Sequence, residues 1–234
     1  MTLEIATHRN ILLSILKDIF SDSIMGLALG FTGGTAAYLF YNLPRFSVDL
    51  DFDLLDKEHE QYIFENVQSV LEKYGLIKQA REKRFSFFCL LSYENKLHGA
   101  YNIKIEINRR DFGSRYEVKS YLGIPMKVMI KEDMIAHKLV AMFERLGTTN
   151  RDIFDVWFFL KNNWPINEAI IEKRMDMTFD MFVQKCIAEL EAMSDRNILS
   201  GLGELPDAQQ KVWVKKHLRA ETIFLLKMQL QSIQ

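Results

Sequence analysis

Ser47, Asp49, Asp51 and Asp53 occupy alternate positions, separated by Val48, Leu50 and Phe52. A strand puts alternate side chains on one face. The alternation therefore predicts a strand over 47–53, with the apolar residues in the core and the four oxygen-bearing residues together. Same-face neighbours on a strand lie about 7 Å apart. Carboxylates that close repel, and each resists ionisation unless a cation lies between them. Oxygen-only ligands suit Mg²⁺ or Mn²⁺. The plainer reading of such a stretch is an exposed sheet face.

A second alternation favours the chemical reading. In Asn102-Ile103-Lys104-Ile105-Glu106-Ile107-Asn108 the isoleucines face one way and Lys104, Glu106 and Asn108 the other. If the two strands are neighbours, Glu106 joins Asp49 and Asp51, and three carboxylates can hold two metal ions. The alternative for Glu106 is a cross-strand pair with a lysine or arginine. Ahead of both, Leu27 to Ala36 reads as strand, Gly33-Gly34 turn and helix start. Such a turn lets backbone N–H groups approach phosphate oxygens. No Gly-Lys-Ser/Thr follows and the third glycine of a dinucleotide fingerprint is missing, so it is neither of those loops.

The elements that must position these residues divide the chain. A helix is expected from a Thr7 cap to about Phe20, then strand Leu27–Phe31, helix Thr35–Asn42, strand 47–53 and helix Lys57–Tyr74. Strands follow at Ile77–Glu82, Arg84–Ser92 and Asn102–Asn108, with an extended segment Tyr121–Ile130 containing Pro125. From Lys131 the pattern is helical: 131–146, 151–162, 166–175, 179–193, Asp207–Leu218 and Ala220–Gln231. The expected organisation is an α/β domain over 1–130 and an α-helical domain over 131–234.

Composition fits a globular protein: 234 residues, 48% hydrophobic and 26% charged. Cys89 and Cys186 form no CxxC pair, and the histidines have no zinc-ligand spacing; a reducing cytoplasm is expected. No signal peptide is evident, and the uncharged stretch Ser23–Pro44 is broken by four glycines, so no membrane span is expected. Charge is uneven. Residues 1–77 hold 5 basic and 11 acidic residues, whereas 78–119 hold 10 basic and 5 acidic. A basic middle suits a polyanion, with Tyr93, Tyr101 and Tyr116 as expected base-stacking residues; charge alone favours a solvated face.

Phe31-Thr32-Gly33-Gly34, Asp49-Leu50-Asp51-Phe52 and Ile105-Glu106-Ile107 together resemble the polymerase-β-like nucleotidyltransferase superfamily. Within it, Gly33–Ala36, Arg45–Phe52, Lys104–Ile107, Ala136–Leu139 and Arg151–Asp155 resemble the AbiEii/AbiGii nucleotidyltransferase toxins of bacterial toxin–antitoxin and abortive-infection systems. The motifs span residues 31–155. Two features depart from the pattern: fourteen residues separate Gly34 from Asp49, and Thr32 replaces a hydrophobic residue.

The resemblance implies an α+β fold, a nucleotidyltransferase core with a mixed sheet followed by a helical bundle closing over a nucleotide cleft. It implies transfer of a nucleoside monophosphate from an NTP to an RNA, the tRNA 3′ end, with release of pyrophosphate. Asp49, Asp51 and Glu106 would hold Mg²⁺ or Mn²⁺; Gly33, Gly34, Thr35 and Ser47 would hold the nucleotide; Lys138 would meet the β- or γ-phosphate. Asp152 is the best match to a late active-site aspartate, with Asp155, a turn on, close behind. A cognate antitoxin is the implied partner. Transfer to a small molecule or protein side chain, and a non-catalytic nucleotide-binding partner protein, are the alternatives.

Overall fold

Ile103, Ile105 and Ile107 are fully buried, as are Leu29, Phe31, Leu50 and Phe52, and their strands lie at the centre of one sheet. The computed structural model describes residues 4–95, 99–195, 198–199, 201–202 and 208–231. The sheet contains β1 (Leu29–Thr32), β2 (Leu50–Leu54), β3 (Leu76–Glu82), β4 (Ser86–Asn95), β5 (Gly99–Asn108), β6 (Tyr116–Tyr121) and β7 (Ile124–Met129), in the order β3-β4-β5-β2-β1-β7-β6. It is mixed: β2–β5 and β1–β7 are parallel, and the other pairs antiparallel. With helices α1 (Ile5–Ser21), α2 (Ser23–Ala28), α3 (Gly33–Tyr41) and α4 (Glu60–Glu72), the strands belong to one compact unit, Met1–Asn42, Phe46–Asp111 and Tyr116–Met129.

The second unit comprises Leu43–Arg45, Phe112–Arg115 and Ile130–Gln234. It holds α5 (Lys131–Arg145), α6 (Arg151–Lys161), α7 (Glu168–Met175), α8 (Phe179–Ala192) and α9 (Ala208–Gln231). The α6 helix packs on α5 and α9, and α8 on α7 and α9, around Phe154, Phe159 and Phe182. Among the described residues no helix is long and apolar enough to cross a membrane.

Several expected boundaries move, each for a local reason. The first helix begins at Ile5, and its N-cap is Glu4 rather than Thr7. The expected strand Leu27–Phe31 starts at Leu29, because Asp22 accepts from the Ile24 and Met25 N–H groups and caps a short helix that carries Leu27 into solvent. The expected strand over 47–53 starts only at Leu50. Its antiparallel partner β1 ends at Thr32, opposite Asp51, where Gly33 begins α3, so residues 47–49 have no β1 residue to pair with.

The extended segment Tyr121–Ile130 is half of a hairpin. Leu122 and Gly123, both at positive φ (49° and 80°), join β6 to β7. Such turns are normally signalled by Asn-Gly or Asp-Gly, and Leu-Gly gives no such signal. The two expected C-terminal helices are one, α9, continuous through Arg219, whose guanidinium reaches Asp195 and the Leu190 carbonyl; Asp207 lies outside the described residues.

Gly30 shows why the sheet tolerates few changes. It pairs with Asp53 across β1–β2, and the Tyr116 ring lies over it to donate a hydrogen bond to Asp53. A Cβ on Gly30 would overlap that ring, with Cδ1 and Cζ at 2.7 Å. Because the hydroxyl is pinned, the ring cannot simply swing away. Gly30→Ala is expected to cost about 1–3 kcal/mol, the usual range for overpacking, measured by urea denaturation; Gly30→Ala in a Tyr116→Ala background should cost much less.

Candidate functional site

The parallel β2–β5 register sets Asp51 opposite Glu106, so the two alternating sequences do lie side by side. Asp49 stands one residue before β2. All three carboxylates converge on one ammonium. Lys104 Nζ is 3.9 Å from Asp49 Oδ2, 3.4 Å from Asp51 Oδ1 and 3.3 Å from Glu106 Oε2. None of the four side chains is fully buried: Asp49 is 15% exposed, Lys104 24%, Asp51 28% and Glu106 33%. Among the described residues no three His, Cys, Asp or Glu side chains form a ready-made metal cage. The donor set is nonetheless all oxygen and already organised around a cation, which fits a hard divalent ion. Lys104 is legible on the Glu106 face of its strand, but alternation alone gives it no role.

Three further side chains hold these carboxylates. Ser86 Oγ donates to Glu106 Oε1 at 3.0 Å. Thr35 is 2% exposed, and its hydroxyl donates to the Asp49 carbonyl; it holds the backbone of a carboxylate residue. His8 Nε2 lies 3.0 Å from the Val48 carbonyl and Nδ1 lies 2.6 Å from Tyr93 Oη. A carbonyl can only accept, so Nε2 carries the hydrogen and Nδ1 accepts from the tyrosine. Burial pushes the His8 pKa down, against the Val48 bond and the Asp49 charge, and pushes Tyr93 up to about 12; both therefore stay in the neutral forms this chain of bonds needs. Ser47 is buried in the same segment, 5% exposed.

The Gly-Gly turn has a steric reason. Gly33 has φ +78°, and a Cβ there would collide with the Asp51 carboxylate, its own Cβ at 2.8 Å. Gly33 thus brings the start of α3 against Asp51, with Gly34 buried behind it. Thr32 does not cap this helix with its side chain; its hydroxyl donates to Met129 Sδ. The helix N–H groups beside Asp51 are the kind that receive phosphate.

Asp53 is committed elsewhere: it accepts from Asn108 Nδ2 at 2.8 Å and from the Tyr116 hydroxyl. Among the tyrosines expected to stack on bases, burial corrects that role for Tyr93. Tyr116 serves Asp53, and Tyr93 is 4% exposed and bonded to His8. Tyr101 leans on Tyr93 at 6.0 Å between centroids. The exposed aromatic of the basic stretch is Phe85, 48% exposed, with the Arg84 and Arg110 guanidiniums 4.8 and 5.5 Å from its centroid. It precedes Ser86, the residue bonded to Glu106. Residues 96–98 of that stretch lie outside the described residues.

The second unit holds its own charged cluster. Lys138 Nζ is 3.0 Å from Asp152 Oδ1 and 2.8 Å from Asp155 Oδ2. Asp155 also receives a two-pronged hydrogen bond from Arg45, Nε at 2.5 Å and Nη2 at 2.6 Å. Asp152 Oδ2 lies 2.8 Å from Arg145 Nη2, though off the line of a hydrogen bond. Both aspartates are fully buried, while Lys138 is 10% and Arg145 39% exposed. Burial alone would raise the Asp155 pKa; Arg45 and then Lys138 overcome it and hold the carboxyl far below the ordinary range. The helical periodicity puts Lys138 at the edge of an apolar stripe, and it lies almost wholly inside. Arg45, visible in the sequence only as a motif neighbour of Ser47, is the partner that helical spacing does not reveal. Both thiols are inert: burial pushes Cys89 up to about 11 and Cys186 to about 12.

Removing one member of a buried charge cluster strands the others. Asp155→Ala is expected to lose about 3–5 kcal/mol in urea denaturation at pH 7. A depressed carboxylate pKa adds stability that is complete above the unfolded value, about 3.9, and fades as pH falls toward the folded value. The gap between native protein and Asp155→Ala should therefore be constant from about pH 5 to 7 and narrow below about pH 4.

A family model described as "Nucleotidyl transferase AbiEii toxin, Type IV TA system" matches residues 14–220. No curated protein matches the chain. Among solved structures, a candidate nucleotidyltransferase from H. pylori is similar over 100% of this chain and 99% of its own, with TM-score 0.63 and 21% identity. JHP933 from Helicobacter pylori is similar over 100% and 98%, with TM-score 0.56 and 24% identity. MenT4, the nucleotidyltransferase toxin Rv2826c from Mycobacterium tuberculosis H37Rv, is similar over 94% and 83%, with TM-score 0.59 and 18% identity. At these identities the structures establish a shared fold.

Proposed function

The chain belongs to the AbiEii nucleotidyl transferase toxin family of type IV toxin–antitoxin systems, and on that premise we propose that it transfers a nucleoside monophosphate from an NTP to the 3′ end of a tRNA. The observation that carries this reading is the meeting of Asp49, Asp51 and Glu106 on one cation beside the Gly33 turn. Those three residues would hold Mg²⁺ or Mn²⁺, which supplies charge neutralisation at the phosphates. The N–H groups at Gly33 and Gly34, with Ser47, would bind the triphosphate. In the step itself, the acceptor hydroxyl oxygen bonds to the α-phosphorus as the bond to the pyrophosphate oxygen breaks. Glu106 takes the hydroxyl proton on Oε2, while Ser86 fixes the other oxygen.

Lys138 is proposed to add positive charge to a bound phosphate. Asp152 and Asp155 act through it, holding the ammonium in one place. An RNA acceptor is favoured over a small molecule by Phe85, a half-exposed ring beside the Arg84 and Arg110 guanidiniums, which places an aromatic surface next to cations that can meet phosphates. A cognate antitoxin as partner follows from the family, and the activity is placed in the cytoplasm, where NTPs and tRNA are found.

The decisive experiment is transfer of label from each α-³²P NTP to tRNA. Asp49→Asn and Asp51→Asn should each lower transfer about a hundredfold or more, since several kcal/mol of charge stabilisation go with the ligand, while circular dichroism stays native. Near-native transfer by either variant overturns the reading.

The acceptor is tested separately. Phe85→Ala should weaken tRNA binding about 5- to 100-fold, and Phe85→Trp should restore it. Arg84→Gln with Arg110→Gln should flatten the salt dependence, by about 0.7 in log–log slope for each single-strand phosphate that is no longer neutralised. An unchanged slope returns this surface to ordinary solvated charge.

A further inference from the structure

We propose that Lys104 is a built-in counter-cation that occupies the acidic site in place of a divalent ion and passes to the triphosphate when both ligands bind, so that metal and nucleotide bind cooperatively. The inference rests on the metal-site reading above.

Geometry is the first support. The Lys104 ammonium lies within 3.9 Å of an oxygen from each of the three carboxylates, and among the described side chains it is the one ammonium that meets all three. An ion ligated by those same oxygens takes the volume that the ammonium fills, so the two exclude each other. Backbone geometry is the second. Lys104 and Glu106 are two residues apart on β5, and Asp51 is opposite Glu106. The lysine stem therefore rises from the same face as the carboxylates, and no rearrangement of the sheet is needed for it to enter or leave.

Exposure is the third. The lysine side chain is 24% exposed, and a lysine is a compact charge on a flexible stem. It can leave the carboxylates by rotating its own stem. Once displaced, its most favourable new partner is an anion, and a triphosphate brought to the Gly33 turn supplies one nearby. A ligand that stabilises the displaced lysine also favours the metal that displaces it, and the coupling is reciprocal.

The test uses the full chain and Mn²⁺ alone, followed by the electron paramagnetic resonance of free Mn²⁺, with and without inorganic tripolyphosphate. Lys104→Met keeps the stem and removes the charge; Lys104→Arg keeps the charge. Without phosphate, Lys104→Met should bind Mn²⁺ about tenfold or more tightly than the native chain, and Lys104→Arg should resemble the native chain. Tripolyphosphate should raise native Mn²⁺ affinity by a larger factor than that of Lys104→Met, because only the native chain has a lysine to re-partner. A purely structural lysine would not move that ratio.

Lys104→Met that folds and binds Mn²⁺ no more tightly than the native chain overturns the inference. If it folds only when Mn²⁺ is present, metal is replacing the lost ammonium, which supports it. If it does not fold at all, Lys104→Gln is measured in the same way. Asp51→Asn separates the two levels. If it leaves Mn²⁺ binding intact, the metal-site reading itself fails. If it removes Mn²⁺ binding while Lys104→Met equals the native chain, the Lys104 inference alone fails.

Discussion

Repulsion among three carboxylates brought together where the start of β2 meets the later part of the parallel strand β5 is the constraint on which the first unit depends. Like charges gathered in one place repel, and Asp49, Asp51 and Glu106 all face the same cation. Lys104 supplies that cation from within the same strand as Glu106. The surrounding features follow from keeping this arrangement partly open to solvent. The first strand stops at Thr32, Gly33 turns at positive φ against Asp51, and a helix begins where a ladder would otherwise have continued.

The second unit solves a related problem in the opposite way. Asp152 and Asp155 are wholly buried, and Arg45, Lys138 and Arg145 surround them, so cations exceed anions. Packed apolar residues commonly stabilise a core as well as a buried ion cluster or better, so stability alone is a weak reason to bury four charges here beside the half-exposed Arg145. Under the proposed function, a lysine fixed by two carboxylates and one-tenth exposed would be a charge held at a fixed point. That is the property a phosphate contact needs, and a freely rotating surface lysine lacks it.

Much of the sheet can be read in the sequence because period-2 alternation is a local signal. Leu50–Asp53 and Asn102–Asn108 fall in strands, their polar residues share a face, and Asp51 meets Glu106. What cannot be read depends on partners distant in sequence. Val48 alternates as well as Leu50 does, yet lies outside the strand because β1 is short. Tyr93 looks like a stacking residue until His8 claims its hydroxyl across 85 residues and its ring is buried. Arg45 and Asp155 are 110 residues apart, and no spacing rule links them. Phe85 carries no signal, since an exposed phenylalanine differs from a buried one only in what packs against it.

These two kinds of support give the carboxylates different freedom. Asp51 and Glu106 are fixed by the ladder between β2 and β5, so moving one against the other means breaking a register that positions a whole row of core side chains. Asp49 is fixed by side chains instead: His8 on the Val48 carbonyl and Thr35 on its own. Each of those two hydrogen bonds contributes about 1 kcal/mol. The distances to Lys104 follow that division, 3.4 and 3.3 Å to the ladder-held residues and 3.9 Å to Asp49. On the proposed reading, a ladder-held pair with a neighbour held outside the ladder would accept a lysine ammonium or a divalent ion, two cations of different size. The Ser47–Asp49 segment therefore serves the site better outside the sheet than it would as the strand its sequence pattern suggests.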